Sequence, residues 1–245
     1  MLSELGLALS PLPAEPCSDS WKTEGAVRSS LLLSSLLLND NDAALDPVSL
    51  LALPVTPFLN FNDAGGGGTA REYMNAAKEV GDVSQDEMDW LGIAATRLNA
   101  RLLLSVLADV AYPEVITDPT AIPEGIEQPP ILCAGWKPGW STDTVAAIAA
   151  RERGAKMVLN LSNIEYVYDD DPSKNPDAKP YTEMGWDQYR AMVGNEWSPG
   201  MNAPFDPIAS KIANEEGMTV VVANGRLENL TAMLSNEPFE GTILK

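Results

Sequence analysis

The fold class this sequence predicts is α/β, a parallel or mixed sheet covered by helices on both faces. Three observations carry it. From Lys156 onward, short apolar runs alternate with capped helical patterns. Upstream, Ile131-Leu132-Cys133-Ala134 reads as a buried strand that Gly135, Pro138 and Gly139 break, before an alanine-rich helix begins after Ser141-Thr142-Asp143. The composition, 45% hydrophobic and 21% charged over 245 residues, is globular and long enough to bury a sizeable core.

Taken in order, Gly65-Gly66-Gly67-Gly68 is a glycine turn opening into a helix that ends near Gly81. Ser84 caps a long helix whose early Asp86 and Glu87 suit the helix dipole. On it, Met88, Leu91, Ala95, Leu98 and Leu102 form the stripe expected to face the core, and Arg97 and Arg101 a solvated or interfacial face, with ligand contacts as the alternative. After Tyr112, the acidic, proline-rich stretch to Pro130 reads as a loop or a small excursion. Strand, glycine-rich loop and capped helix around Gly135 make either an anion site or a plain βα connection. Gly154 is a helix C-cap, Lys156 to Leu161 a strand, and Ser162 to Pro172 a polar loop on the same sheet edge as Gly135. Its three consecutive aspartates lack the spacing and closing Glu of a calcium loop. Trp186 to Val193 is a helix, and Asp206-Pro207 caps another that runs to Gly217. Met218 to Ala223 is a strand, Leu227 to Leu234 a helix, and Thr242 to Leu244 the last strand.

The formal net charge of -19 argues against nucleic acid and anionic membrane surfaces as partners. It leaves nucleotides open, since screening over about 8 Å lets a few local cations dominate. No histidine is present, which removes Ser-His-Asp and Cys-His catalysis and most zinc sites, and no dedicated set of metal ligands stands out. Cys17 and Cys133 show no CxxC spacing, and no apolar run reaches the roughly 20 residues of a membrane span, so a soluble cytoplasmic protein is expected.

Several motifs follow one another in a telling order. Gly66-Gly67-Gly68-Thr69-Ala70-Arg71-Glu72-Tyr73, Gly92 to Ala100 (GIAATRLNA) and Lys137-Pro138-Gly139-Trp140-Ser141-Thr142-Asp143 come first. Asn163 to Pro172, Phe205 to Lys211 (FDPIASK) and Gly241-Thr242-Ile243 complete the series. In this order and spacing, residues 65 to 245 resemble the amino acid kinase family, most closely its archaeal-type uridylate kinases. The resemblance implies a three-layer αβα sandwich with a mainly parallel central sheet, typically hexameric. It also implies ATP-dependent conversion of UMP to UDP with Mg²⁺. Gly66 and Asp89 would contact UMP, and the loop Trp136, Lys137, Pro138, Gly139, Trp140, Ser141 and Thr142 would embrace its phosphate and sugar. Gly67 and Arg71 would face the ATP phosphates, with Ser162, Asn163, Tyr168 and Asp171 at the adenosine end. Asp143 or Asp206 would hold Mg²⁺ or orient cations, and Lys211 would meet the transferring phosphoryl. Helix capping for the two aspartates and a surface ammonium for Lys211 are the plain alternatives.

The chain departs from the family in two loops, with Trp136, Trp140 and Ser141 in place of Thr-x-Pro-Gly-His-Thr and Ile164-Glu165-Tyr166-Val167 in place of Val-Asp-Gly-Val. The front departs most. Family members start with a strand ending in Gly-Gly-Ser or Lys-x-Ser-Gly that cradles ATP phosphates. Residues 1 to 64 show no such ending; Leu31 to Leu38 is a short helix or strand, and no clean period persists. The segment is expected to be non-ancestral or poorly ordered, for instance through a reading-frame slip just before Gly65. Two other functions stay open on the residues. One is a non-catalytic nucleotide-binding or storage protein on the same fold. The other is an NAD-dependent dehydrogenase through Gly65, Gly67 and Ala70, against which the run Leu59 to Ala64 reads as a poor buried strand.

Overall fold

The computed structural model describes residues 66–126, 130–196, 203–235 and 237–245, with the backbone of two further strands at 31–34 and 59–62. Cys17, Gly65 and most of the N-terminal segment lie outside the described residues, as does the remainder of the Leu31 to Leu38 run.

The strands are β1 (Leu31–Ser34), β2 (Leu59–Asn62), β3 (Val115–Ile116), β4 (Leu132–Cys133), β5 (Met157–Ser162), β6 (Val167–Tyr168), β7 (Pro180–Tyr181), β8 (Glu183–Met184), β9 (Thr219–Asn224) and β10 (Thr242–Leu244). The helices are α1 (Gly67–Val80), α2 (Gln85–Val106), α3 (Thr142–Arg153), α4 (Trp186–Val193), α5 (Pro207–Glu215) and α6 (Leu227–Leu234). Eight strands form the main sheet in the order β3-β4-β2-β1-β5-β9-β10-β8, and β6 and β7 pair separately. Every neighbour in the main sheet is parallel except β9 and β10.

Period-2 alternation sorts the side chains of a strand onto two faces. Val220 and Val222 of β9 pack with Ala147 and Ala150 of α3, Trp186 and Tyr189 of α4, and Ala209 and Ala213 of α5. Val221 and Ala223 join Leu103 and Leu104 of α2 and Leu230 of α6 on the opposite face. The result is the three-layer αβα sandwich with a mainly parallel sheet. The β9 run from Val220 to Ala223 is buried throughout, as a strand covered on both faces must be.

Local signals account for several helix ends. Ser84 accepts from the Glu87 amide, Ser141 from Thr144, and Asp206 from Ile208 and Ala209. Gly154 ends α3 at φ 66°, where a side chain would be strained.

Four expectations need correction. Leu59–Asn62, read as a poor strand, pairs in parallel with both β1 and β4. The stretch after Tyr112 contains β3, which pairs with β4. Leu98 and Leu102 do not face the core: they are 62% and 55% exposed, whereas Met88, Ala95, Ala100, Leu103 and Leu104 are buried. Helix α2 carries apolar residues on two faces, so more than one stripe fits helical spacing and only packing picks the buried one. Arg97, read with Arg101 as a solvated or interfacial face, is half-buried and bonded to a loop.

Candidate functional site

Because β2, β4, β5 and β9 run parallel within one sheet, their C-terminal ends share an edge. Open α/β sheets bind ligands in the crevice outside such an edge. Leaving it here are the glycine turn into α1, the loop 135–141 into α3, the Ser162 loop, and the Asn224-Gly225 turn. These segments hold most of the residues singled out from the sequence.

Gly66 opens α1 without a side-chain cap, and Gly67 sits at φ 52°. A Cβ on Gly66 would lie 2.5 Å from Ala70 Cβ, so no larger residue fits against the helix there. Gly66 brings no side chain over the first amides of α1, and Arg71 follows one turn on, exposed.

Helix α2 holds the loop 135–141 at several points. Asp89 Oδ2 accepts from the Gly139 amide at 2.9 Å. The Thr96 hydroxyl donates to Ile93 O at 2.7 Å and accepts from the Gly135 amide at 2.8 Å. Arg97 donates through Nε to Gly135 O at 3.1 Å and through an η nitrogen to Trp136 O at 2.9 Å. A Cβ on Gly135 would come within 2.8 Å of Thr96 Oγ1 and 3.3 Å of Ile93 Cα, so the strand exit lies tight on α2.

Within the loop, Lys137 Nζ lies 3.8 Å from the Trp136 ring centre and 5.3 Å from that of Trp140, a pair of rings 5.2 Å apart. Nearby, Asp118 accepts from the Thr120 amide at 2.9 Å and from the Thr120 hydroxyl at 2.6 Å. Its carboxyl is held below the usual range, first by the Thr120 hydroxyl and amide and then by Lys137.

At the start of α3, Ser141, Thr144, Asp143 and Asp206 form one network. Asp206 Oδ2 accepts from the hydroxyls of Ser141 and of Thr144, the latter at 2.9 Å. Its Oδ1 accepts from the amides of Ile208 and Ala209 at 2.6 and 2.9 Å. Its own amide donates to Asp143 Oδ2 at 3.0 Å. Asp206 is 3% exposed and joins the N-termini of α3 and α5. Lys211 lies elsewhere on α5, exposed and 3.9 Å from Glu215.

Beyond β5, Ser162 Oγ accepts from the Ile164 amide, and Asn163 is exposed. Burial and then Glu165 push the Tyr168 hydroxyl up. The hydroxyl and amide of Ser173, with Lys174 at 2.9 Å, hold the Asp171 carboxyl down to about 2. Among the described residues, no group of three or more His, Cys, Asp or Glu could hold a metal alone. That donor set suits an ion carried mainly on nucleotide phosphates with one or two carboxylates nearby.

The amino acid kinase family model matches residues 64–224, spanning the glycine turn, the loop at Gly135 and the Asp206 network. The chain belongs to the amino acid kinase family. Among curated relatives, a uridylate kinase of Pyrobaculum neutrophilum is 40% identical over 178 residues, 71% of this chain and 80% of that one. One from Methanospirillum hungatei is 36% identical over 183 residues, covering 74% and 77%. The crystal structure of uridylate kinase from Archaeoglobus fulgidus matches with a TM-score of 0.71 at 29% identity, over 88% of this chain and all of that one. Aspartate kinase from Synechocystis, at TM-score 0.61 and 16% identity over 88% of this chain and 39% of its own, shares the amino acid kinase fold.

The sequence alone picked out the glycines, Asp89, the loop and both aspartates of this kinase-family domain. It passed over Asp118 and Thr144, and it gave Thr96 and Arg97 no part in holding the loop. The available signal was a polar pair, Thr96-Arg97, inside an otherwise apolar and alanine-rich helix segment.

Proposed function

We propose that this protein transfers the γ-phosphoryl group of ATP to UMP, giving ADP and UDP. The observation that carries the reading is the 40% identity to a uridylate kinase over 71% of the chain. The loop 135–141, fixed on α2 and leading into the α3 N-terminus, supplies a place for an acceptor nucleotide.

In the reaction a phosphate oxygen of UMP attacks the γ-phosphorus as the bond to the ADP oxygen breaks. An acceptor phosphate, with a second pKa of about 6, is largely deprotonated near neutral pH, so no histidine base is required. Catalysis then rests on positioning and charge neutralisation. Gly67 and the following amides at the start of α1, with the Arg71 fork, face the ATP phosphates. Ser162, Asn163, Tyr168 and Asp171 lie toward the adenosine. Gly66, Asp89 and residues 136–142 face UMP. Asp206 keeps the N-termini of α3 and α5 converged, Asp143 is the carboxylate that would face Mg²⁺ on the nucleotide, and Lys211 would need to swing from Glu215 to reach the phosphoryl. Bound Mg²⁺ would neutralise phosphate charge.

We read the assembly as a homo-oligomer, a hexamer by family resemblance, in the cytoplasm. Leu98, Leu102 and Val106 form an exposed apolar stripe at successive turns of α2, which supports self-association. An ADP-release assay with UMP, with CMP and with no acceptor tests the function. UMP-dependent turnover supports it; ATP binding without UMP-dependent turnover overturns it in favour of a non-catalytic nucleotide-binding protein.

A further inference from the structure

We propose that Arg97 is a positioning residue for acceptor binding, setting the path of the loop 135–141 without touching substrate. The inference rests on reading that loop as the UMP loop.

Gly135 and Trp136 leave the end of β4, where the sheet no longer pairs their backbone groups. Three of the four polar backbone groups of these two residues are claimed by two adjacent residues of α2. Thr96 takes the Gly135 amide, and Arg97 takes the carbonyls of Gly135 and Trp136. A guanidinium is suited to this, because its rigid fork donates along two fixed directions and keeps its charge at any working pH. The guanidinium also lies over Trp90, whose ring centre is 5.8 Å from Cζ. Trp136 begins the aromatic pair with Trp140, so the direction of the Trp136 carbonyl fixes where that pair and Lys137 stand. Ser141, at the far end, is tied separately to Asp206. The loop is therefore clamped at both ends, and Arg97 is the charged half of the first clamp. The side chain acts entirely through main-chain atoms, so the identities of the loop residues do not reveal it.

The test compares R97A, R97K and R101A, the last altering an exposed arginine one turn on. Each is examined by steady-state kinetics with UMP and ATP varied separately, by thermal melting, and by amide exchange of the loop. R97A is expected to raise KM for UMP roughly ten- to hundredfold, the cost of a misplacement near 1 Å, with KM for ATP within about twofold. R97K, reaching one carbonyl and lacking the fork, should recover part of that loss, and R101A should match the parent protein. Exchange at residues 135–139 should quicken in R97A while α3 and β5 stay protected. The proposal is overturned if R97A keeps parental KM for UMP and parental exchange. It is equally overturned if both KM values and the melting temperature shift together, which marks a general structural role. Were the parent protein to show no UMP-dependent turnover, the kinase reading would fall, while the exchange comparison would still decide whether Arg97 sets the loop.

Discussion

Replacing Asp206 probes the junction of α3 and α5 most directly. Asp206→Ala removes acceptors for two hydroxyls, Ser141 and Thr144, and for the amides of Ile208 and Ala209. Loss of the α5 cap alone costs about 0.5–2 kcal/mol. Each hydroxyl bond to a carboxylate contributes about 1.5–3 kcal/mol, partly offset because the ion no longer has to be desolvated at 3% exposure. The net expectation is a loss of about 3–5 kcal/mol. Asp206→Asn keeps an oxygen for the cap and should cost about 1–2 kcal/mol, since asparagine caps nearly as well. Urea unfolding followed by circular dichroism measures both, with an unchanged m-value confirming that stability alone has moved. For a chain of this size the alanine variant should melt roughly 6–20 °C lower. An alanine variant within about 1 kcal/mol of the parent, or an asparagine variant as damaged as alanine, refutes the reasoning. If the carboxylate charge also serves phosphoryl transfer, Asp206→Asn will lose kcat beyond its loss of stability.

Gly66→Ala should weaken nucleotide binding with little change in the distant core, because its Cβ would lie 2.5 Å from that of Ala70 and push the turn outward. Isothermal titration with ATP measures it, and parental affinity would remove the close-approach argument. Tyr189→Phe should destabilise by about 2–4 kcal/mol in urea, since the buried hydroxyl donates to Phe205 O and accepts from its amide at 2.6 and 2.7 Å. A loss under about 1 kcal/mol would mean that Phe205 finds other partners. Asp171 ionises near 2 when folded, below its ordinary 3.8, so the turn it anchors gains from ionisation above about 3.8 and loses that gain as pH falls through about 2. Ser173→Ala should move its titration, read by carbon NMR, back toward 3.8, and an unmoved midpoint would show that Ser173 is not the cause.

The parts of this fold that could be read in the sequence are those whose cause is local. The sequence places Trp186–Val193, Leu227–Leu234 and Thr242–Leu244 to the residue. Ser84 and Asp206 cap their helices as read, while at α3 the cap within the Ser-Thr-Asp cluster is Ser141 and not Asp143. Those signals lie within a few residues of their effect. Strand β2 escaped because its apolar/polar alternation, Leu59-Asn60-Phe61-Asn62, lasts only four residues; its parallel pairing with β1 and β4 is a property of the neighbours. Arg97 escaped for a related reason, since its partners lie 38 and 39 residues away and are main-chain carbonyls. On α2 the spacing could not decide between Leu98 and Leu103, because both sit on apolar stripes and only the sheet beneath chooses.

The pairing of α3 with α5 has a kinematic consequence. Their N-termini are joined through Asp206, each is followed by a left-handed glycine, Gly154 or Gly217, and each then feeds one of two strands in continuous parallel register, β5 and β9. Sliding one helix along the other would have to break the joint at one end or shift the register at the other. The two helices and their strands consequently move as one plate. Any rearrangement of the chain around them leaves these four elements fixed with respect to one another.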